Sequence, residues 1–353
     1  MVQRKPALNP AQQPVCSVCV ANYNGRDTLD ACLRSILEQN CGFEVEIIVH
    51  DDASSDSSVE DLQARFPDIE LLISEQNVGF CVSNNRMLDI ARGEFVLLLN
   101  NDAELFPDAL RCLHKRALQT GPSILGLPQF GLPDGQLIDR GSLLDPFLNP
   151  VPNLDPTRTN VGMVMGACLW IARDLWQELG GFPDWFHTLA EDMYLCCLAR
   201  LRGYSVEVLP VSGFRHWVGK TLGGGKVTGR GLQTTRWRRA LSERNKTFVM
   251  ALTYPWAIAF WLGPLHLIAL LLEGLLISAI KYDRTLWRDI YWSCLTELWN
   301  RGPMIWRERM RLQAKRRVSV RQFLEVFTIV PQKLRLLVRH GLPEITVRPG
   351  RFC

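Results

Sequence analysis

Four short apolar runs in the first hundred residues constrain the fold of this chain more than any other feature. They occupy residues 15–21, 45–49, 69–73 and 95–99. Each run ends in a polar loop, and the first three loops lead into segments whose apolar residues have helical spacing. Those segments lie at 27–39, 55–65 and 79–91. Strands that alternate with helices pair in parallel and are covered on both faces, so the first part of the chain is predicted to be an α/β domain.

The polar residues that follow these runs lie where a ligand is expected. The carboxyl ends of parallel strands share one edge of the sheet, and ligands bind at that edge. Asp51 and Asp52 follow the second run, and Asn100, Asn101 and Asp102 follow the fourth. Carboxylates in such loops can hold a divalent cation that bridges the phosphates of a nucleotide. The same residue types also cap helices and form turns, so the pattern alone leaves both interpretations open.

The second half of the predicted domain is less regular. Residues 121–160 are rich in Gly, Pro, Asp and Asn, which is typical of an irregular excursion with short edge strands. An apolar run at 162–172 and a short helix at 175–179 follow. A helix at 191–201, with Gly203 just beyond it, and a strand at 206–210 complete the pattern.

Several motifs resemble the family 2 glycosyltransferases in order and spacing. SVCVANYNG is similar to that family's opening strand and Tyr-Asn loop, VHDDASSDSS to its second strand and loop, and ISEQNVGFCVSNNRML with GEFVLLLNND to its third strand and metal motif. GACLWIARDLWQELGGF, LAEDMYLCCLARLRGYSV and FRHWVGK resemble acceptor-side motifs of bacterial rhamnosyltransferases that build cell-surface polysaccharides. The resemblance extends from about Val15 to Asn245. It implies a GT-A fold, with a Rossmann-like, mostly parallel sheet flanked by helices.

The resemblance places a nucleotide pocket on the loops after the strands. Asp52 is expected to contact the base. The other residues expected around the nucleotide and its diphosphate are Ala21, Tyr23, Asn24, Asn77, Gly79, Asn101 and Asp102.

The resemblance also implies a divalent cation, Mg²⁺ or Mn²⁺. The family's metal motif is usually Asp-x-Asp, whereas this chain has Asn100-Asn101-Asp102, so only Asp102 offers a carboxylate. His216 matches a histidine that supplies a second metal ligand in some relatives. Both Mg²⁺ and Mn²⁺ accept oxygen ligands, so the sequence does not separate them.

Asp192 corresponds to the catalytic base of the family, and Glu191 beside it is expected to support the base or to contact the acceptor. Inversion at the anomeric carbon needs one carboxylate to remove the proton of the acceptor hydroxyl. Two acidic residues at a helix start also interact favourably with the helix dipole, which is the structural alternative for this pair. The glycine-rich segment 223–225, flanked by Lys220 and Lys226, is predicted to close over the donor diphosphate.

The C-terminal part of the chain differs in composition from the rest. Residues 251–353 contain 16 Lys and Arg against 7 Asp and Glu, while the first 250 contain 24 against 29. Residues 254–272 carry no charge, and an amphipathic, Trp-containing stretch and a basic stretch follow. Pro, Gly, His and Glu interrupt the apolar run, so a broken or interfacial helix is as consistent with it as a full crossing.

These features predict the domain organisation. A flexible tail spans 1–14, and a GT-A domain spans 15–250, with a nucleotide part at 15–120 and an acceptor part at 121–250. A membrane-associated region with amphipathic and hydrophobic helices spans 251–353. The chain carries 11 cysteines, an odd number, and its N-terminus lacks an apolar leader. Location at the cytoplasmic face of the cell membrane is therefore expected.

The expected function is transfer of a hexosyl group, with rhamnose from dTDP-rhamnose favoured by the resemblance and UDP-hexoses as the alternative donors. A lipid-linked glycan acceptor and contact with the membrane surface are expected, and binding of nucleic acid is not, because the basic region is interleaved with apolar residues. Nucleotidyl transfer is disfavoured because no Gly-rich basic loop follows the first strand. A membrane-tethered nucleotide-sugar binding protein without turnover remains the non-enzymatic alternative.

Overall fold

The computed structural model describes residues 2–132, 134–217, 224–228 and 231–346. Two compact units are present. The first unit comprises Met1–Ser142, Pro152–Ala199 and Tyr204–Trp217, and the second comprises Leu143–Val151, Arg200–Gly203 and Val218–Cys353. The division falls at Trp217, whereas the sequence predicts a boundary at 250. The difference arises because the helix that ends at Thr253 packs against later helices of the second unit.

Strands and helices alternate through the first unit in the order that the apolar runs predict. The strands of the chain are β1 (Val2–Lys5), β2 (Cys16–Asn22), β3 (Val45–Asp51), β4 (Glu70–Ser74), β5 (Phe95–Asn100), β6 (Ala103–Leu105), β7 (Ser123–Gly126), β8 (Gln129–Gly131), β9 (Leu137–Asp139), β10 (Ser142–Leu144), β11 (Pro150–Pro152), β12 (Cys168–Ala172), β13 (Ser205–Val208), β14 (Phe214–His216), β15 (Gly224–Thr228), β16 (Gly231–Thr235) and β17 (Glu344–Thr346).

The helices are α1 (Leu29–Leu37), α2 (Ser58–Arg65), α3 (Phe80–Ile90), α4 (Ala109–Thr120), α5 (Arg173–Leu179), α6 (Glu191–Leu201), α7 (Arg236–Thr253), α8 (Trp256–Ile280), α9 (Arg284–Leu286), α10 (Ser293–Asn300), α11 (Gly302–Ala314), α12 (Val320–Leu324) and α13 (Gln332–His340). The three longest helices among the described residues, α7, α8 and α11, belong to the second unit. A 3₁₀ turn spans Asp184–Phe186, and a π-helical segment spans Trp287–Trp292.

The main sheet has eight strands in the order β1-β4-β3-β2-β5-β12-β7-β13. Its central strands β4, β3, β2 and β5 are parallel, as predicted. In the register of these strands Ala21 pairs with His50 and with Asn100, so the polar ends of β2, β3 and β5 meet at one edge. Antiparallel pairing of β1 with β4 and of β12 with β5 and β7 makes the sheet mixed, while its other four pairings are parallel, in agreement with the predicted mostly parallel sheet.

The interior of the first unit explains why the strands read as continuous apolar runs. Val18, Val20, Leu97 and Leu98 are completely buried, because helices cover both faces of the central strands. The sheet accordingly uses β-branched and leucine side chains on both sides, without the alternation that a half-exposed strand would show.

The N-terminal segment is not a flexible tail. Val2–Lys5 forms β1, which pairs with β4 in antiparallel register from Val2 opposite Ser74 to Lys5 opposite Leu71. The side chain of Arg4 also forms an ion pair with Glu70. This strand covers an edge of the sheet that would otherwise expose unpaired backbone groups.

A second sheet of the first unit, in the order β6-β14-β8-β9, positions the end of the predicted metal motif. His216 at the end of β14 lies opposite Ala103 of β6 and opposite Gly131 of β8. Because Asp102 directly precedes β6, this register places the side chains of Asp102 and His216 side by side.

The second unit contains one long apolar helix. Helix α8 has 25 residues and continues through Pro264, so the predicted interruption does not break it. At 1.5 Å per residue it is about 37 Å long, enough for a bilayer core of about 30 Å. Within the described residues it is the one helix whose length and composition would permit a crossing, although such a helix alone is weak evidence of one. Phe260 and Trp261 on it are 70% and 73% exposed.

Candidate active site

Three polar loops meet at the carboxyl edge of the parallel strands. The Asn22 amide donates to Asp51 Oδ2 over 2.8 Å, and its Oδ1 accepts from Asn101 Nδ2 over 2.8 Å. A Cβ on Gly25 would lie 2.1 Å from Asn22 Oδ1 and 2.3 Å from Asn101 Nδ2, so only glycine fits beside this contact. The predicted nucleotide residue Asn101 is thus buried and joins the loops after β2 and β5.

Asn24 takes part in the same junction by a different route. It has a left-handed backbone with φ of 51°, and its Oδ1 accepts from the backbone N–H of Ser55 over 2.8 Å. Its own N–H donates to Ser54 Oγ over 2.9 Å. Ala21 and Tyr23, before it on this loop, are half-buried.

Asp52 lies in a cradle made by the start of the third helix. Its Oδ1 accepts from Val78 N over 2.7 Å and its Oδ2 from Gly79 N over 2.9 Å, so the carboxylate bridges to the N-terminus of α3. The backbone carbonyl of Asp52 accepts a long hydrogen bond from Asn77 Nδ2, at 3.4 Å. Burial raises the pKa of Asp52, and the two backbone hydrogen bonds oppose that rise. Asp52, Asn77 and Gly79, which the sequence predicts at one pocket, are therefore together.

Gly79 is required by its conformation and by its neighbour. Its φ is +88°, and a Cβ there would lie 2.2 Å from His187 Nδ1. His187 O in turn accepts from Cys81 N over 3.0 Å. His187 is not predicted from the sequence, because a lone histidine in a loop carries no signal until the fold brings it against Gly79.

The two predicted metal ligands are in contact. His216 Nε2 is 3.1 Å from Asp102 Oδ1, and both residues are buried, at 7% and 6% exposure. Asn100 Nδ2 lies 3.3 Å from the same His216 nitrogen, and Gln129 Nε2 lies 3.0 Å from His216 Nδ1. Gln129 is 2% exposed and its Oε1 has no hydrogen-bond partner.

These residues fit a divalent cation whose coordination shell is completed by a substrate. Two ligands at about 2.1 Å on neighbouring corners of an octahedron are about 3 Å apart, which matches the 3.1 Å between His216 Nε2 and Asp102 Oδ1. A metal-bound histidine usually donates its other ring N–H to an acceptor. The unpartnered Oε1 of Gln129 can be that acceptor if the side-chain amide rotates by about 180°. No group of three or more His, Cys, Asp or Glu residues able to hold a metal occurs in the described part of the chain. Phosphate oxygens and water would therefore supply the remaining ligands.

Asp192 is held by two backbone donors at the start of α6. Its Oδ2 accepts from Gly166 N over 2.9 Å and its Oδ1 from Met193 N over 2.7 Å. Burial raises the pKa of Asp192 despite these hydrogen bonds. Glu191, in the same first turn, is 6% exposed.

The backbone before Asp192 is strained. His187, Leu189 and Ala190 have φ values of 66°, 73° and 64°, a left-handed region that residues with a Cβ rarely adopt. Each such residue costs of order 1–3 kcal/mol, and such residues cluster at functional sites. The strained segment sets the position at which α6, and with it Asp192, begins.

The segment Gly166-Ala167 lies between the residues predicted at the nucleotide, at the base and at the metal. A Cβ on Gly166 would lie 3.6 Å from the Phe80 ring and 3.6 Å from Asp192 Cβ, which brings the start of α3 close to Asp192. The next residue, Ala167, accepts at its O from Asn100 N over 3.2 Å. All of these residues belong to the first unit, which therefore gathers the residues predicted at the nucleotide, the metal and the base.

Part of the predicted diphosphate loop cannot be assigned a position. Lys220 and Gly223 lie outside the described residues. Gly224 and Gly225 belong to β15, which pairs with β16 in antiparallel register.

Comparisons with known proteins agree with this fold. The sequence profile of the Glycosyl transferase family 2 matches residues 17–180. An uncharacterized protein of Mycobacterium tuberculosis (strain CDC 1551 / Oshkosh) is 41% identical over 112 residues, which cover 31% of this chain and 34% of that protein. The GalNAc(5)-diNAcBac-PP-undecaprenol beta-1,3-glucosyltransferase of Campylobacter jejuni subsp. jejuni serotype O:2 (strain ATCC 700819 / NCTC 11168) is 35% identical over 117 residues, 32% of this chain and 38% of that enzyme.

A solved structure shares the fold at low sequence identity. The crystal structure of GalNAc-T7 with UDP, GalNAc and Mn²⁺ superposes with a TM-score of 0.53 at 15% identity, covering 67% of this chain and 48% of that one. The chain spans only about a third of the length of the curated relatives it matches. Residues 17–180 are thus similar to the Glycosyl transferase family 2, and the mixed sheet flanked by helices shows a GT-A fold.

Proposed function

We propose that this protein is an inverting glycosyltransferase that moves a hexosyl group from a nucleoside diphosphate sugar to a lipid-linked or cell-surface glycan, with Asp192 as the general base. One observation carries the proposal. A carboxylate with a raised pKa, Asp192, is connected through Gly166 and Ala167 to the metal motif that contains Asp102. An inverting transfer needs these two groups, a base and a diphosphate-binding centre, on either side of the anomeric carbon.

The geometry of Asp192 suits proton removal from an acceptor hydroxyl. Each carboxylate oxygen accepts one backbone hydrogen bond, and an ionised carboxylate has about four acceptor positions, so lone pairs remain for the hydroxyl. The two N–H donors fix the orientation of the carboxylate. Burial raises its pKa, which makes it a stronger base than an exposed aspartate.

Asp102 and His216 would hold the cation, with Asn100 beside them. When bound, a divalent cation neutralises the charge that develops on the departing diphosphate. The chain itself contributes a buried pair of ligands that are already in contact, so cation binding requires only a tautomer change of His216 and a turn of the Gln129 amide. Glu191 is proposed to support Asp192 or to contact the acceptor.

The donor is proposed to be dTDP-rhamnose, with UDP-hexoses as the alternative. Asp52 would face the base, and Ala21, Tyr23 and Asn24 would line the pocket. The motifs similar to bacterial rhamnosyltransferases support the first donor, whereas the structural relative solved with UDP supports the second. Thymine and uracil differ by one methyl group, which a small change in the pocket can admit.

The acceptor is proposed to be lipid-linked, reached from the cytoplasmic face of the membrane. The exposed apolar surface of α8 supports this proposal, as does the similarity to the Campylobacter jejuni glucosyltransferase, whose name includes an undecaprenol-linked substrate. A non-catalytic nucleotide-sugar binding protein is the second candidate, favoured by the single carboxylate in Asn100-Asn101-Asp102.

Release of nucleoside diphosphate from dTDP-rhamnose and UDP-hexoses tests the proposal. The assay compares Mg²⁺, Mn²⁺ and EDTA, with and without a lipid-linked acceptor, for the parent chain, Asp192→Asn and Asp102→Asn. Asp174→Asn, at an exposed aspartate in the first turn of α5, is the control. We expect one donor to turn over, EDTA to abolish turnover, and both site variants to lose at least a hundredfold while the control does not. No turnover of any donor, or equal rates in all variants, would favour the binding protein.

A further inference from the structure

A cavity of about 630 Å³ in the second unit lies among α7, α8 and α13. It contains no residue of the metal motif or of the Asp192 site. Its lining divides into an apolar wall and a charged floor. Both are formed by residues of the second unit alone.

The apolar wall is open to the outside. Leu272 and Leu276 of α8 line the cavity yet are 55% and 61% exposed, and Leu334 and Leu337 of α13 line it at 53% and 45% exposure. Helix α13 has no fully buried residue. An apolar molecule can therefore enter between α8 and α13 from the apolar face that these two helices present to their surroundings.

The charged floor is an ion network in which Arg239, Glu243 and Lys246 are buried and Glu273 and Lys333 are partly exposed. Lys333 Nζ is 2.7 Å from Glu243 Oε1 and 2.6 Å from Glu273 Oε2. Lys246 Nζ is 3.2 Å from Glu243 Oε2 and 2.6 Å from Asn149 Oδ1. Arg239 forms an ion pair with Glu273.

The floor carries more positive than negative charge. Three cations, Arg239, Lys246 and Lys333, face the two carboxylates of Glu243 and Glu273. An ion network that only held the helices together would not need an open cavity with a leucine wall beside it. A positive floor under an apolar wall is complementary to a molecule with an anionic head and an apolar chain.

The volume limits the size of the occupant. At about 30 Å³ per non-hydrogen atom, the share that one water molecule takes in the liquid, the cavity holds about 20 such atoms. That number corresponds to one phosphate and one chain of about 15 carbons, so two chains of that length do not fit inside the cavity together. A longer single chain can continue outward past Leu276 and Leu337.

We propose that this cavity binds one single-chain lipid phosphate, with its chain between α8 and α13 and its phosphate at the floor beside Lys333. Such binding goes beyond the proposed transfer reaction, because it requires neither a sugar donor nor a cation. It would hold the second unit at a membrane by a specific lipid, in addition to the general attraction of a basic, apolar surface.

Calorimetric titration of the full chain in detergent tests the proposal with farnesyl phosphate, farnesol and inorganic phosphate as probes. We expect farnesyl phosphate to bind, farnesol to bind at least tenfold more weakly, and inorganic phosphate to show no binding at millimolar concentration. Leu276→Trp should weaken farnesyl phosphate binding at least tenfold by filling the cavity. Leu275→Trp is the matched control, since Leu275 is 54% exposed on the same helix but does not line the cavity.

The charge contribution has its own variant. Lys333→Gln should weaken farnesyl phosphate binding at least tenfold, whereas the exposed Lys281→Gln should not. Thermal unfolding identifies any variant that fails to fold. If Lys333→Gln does not fold, Leu276→Trp still tests the proposal, because its side chain is partly exposed. Equal binding of farnesol, equal binding of inorganic phosphate, or unchanged binding by Leu276→Trp would overturn the proposal. Donor hydrolysis is measured separately, so either idea can fail while the other stands.

Discussion

The contact between Gln129 and His216 yields a quantitative prediction about metal affinity. With Gln129 Nε2 donating to His216 Nδ1, the imidazole must carry its proton on Nε2, where it points at Asp102. A cation can bind Nε2 only if the proton moves to Nδ1, and then Gln129 must present its Oε1 instead. The missing partner of Oε1 in the present orientation lowers the cost of that turn.

Gln129→Met removes the acceptor at nearly constant volume, and Gln129→Glu leaves acceptors only. Loss of a hydrogen-bond partner behind a metal-bound histidine typically lowers metal affinity 10- to 100-fold, or about 1.4–2.8 kcal/mol. The Met variant should therefore bind Mn²⁺ more weakly by that factor in the presence of UDP or dTDP. The Glu variant should bind it at least as tightly as the parent, because its carboxylate forces the proton onto Nδ1.

Electron paramagnetic resonance of free Mn²⁺ measures this affinity without turnover. Gln119→Leu, at an exposed glutamine of α4, is the control and should leave the affinity unchanged. Equal affinity of the parent and Gln129→Met, or weaker binding by Gln129→Glu with its fold intact, would refute the role assigned to Gln129.

Three other variants test separate parts of the first unit. Asp192→Asn should reduce turnover 10²- to 10⁴-fold. The base acts when deprotonated and burial raises its pKa. As the pH is lowered, the activity of the parent should therefore begin to fall at a pH above the pKa range of an ordinary aspartate. Burial raises the pKa of Asp139 to about 6, so its ionisation opposes folding increasingly between about pH 4 and pH 6 and by a constant amount above that range. Asp139→Asn should therefore raise the free energy of unfolding by about 3 kcal/mol at pH 8 and by almost nothing at pH 4. Denaturant unfolding at both pH values would show a constant difference if this reasoning is wrong. Gly79→Ala should lower the free energy of unfolding by about 1–3 kcal/mol and weaken binding of the sugar donor, because its Cβ would clash with His187. Gly121→Ala is the control for the backbone contribution, since Gly121 has a similar φ but open space around it. Equal effects of the two variants on donor binding would show that the clash with His187 is not the cause.

The elements of the nucleotide half were predictable because its strands are buried on both faces. Apolar runs such as Phe95–Asn100 mark such strands directly, and the parallel register that follows brings Asn22, Asp51 and Asn100 to one edge. The resemblance to family 2 glycosyltransferases then supplied Asp102, Asp192 and the remaining predicted residues, which spacing alone could not select.

The parts that were not predicted depend on partners distant in the sequence. Val2–Lys5 reads as a polar tail, and it becomes a strand only because β4 offers a free edge. Gln129 lies in the irregular region and gains meaning only from the pairing of β8 with β14. The antiparallel insertion of β12 is likewise a property of strand order, which the pattern within one strand does not encode.

The segment Gly166-Ala167 explains how one sheet edge can couple two chemical tasks. Gly166 N orients Asp192, and Ala167 O accepts from the backbone of Asn100, the first residue of the metal motif. Both contacts use backbone groups of Gly166 and Ala167. They therefore constrain the positions of these two residues but not their side chains, and no sequence motif indicates them. Asn100 and Asp192 are joined by successive residues of one segment. A shift of the metal motif when the sugar donor binds would therefore also move the Gly166 N–H that donates to Asp192.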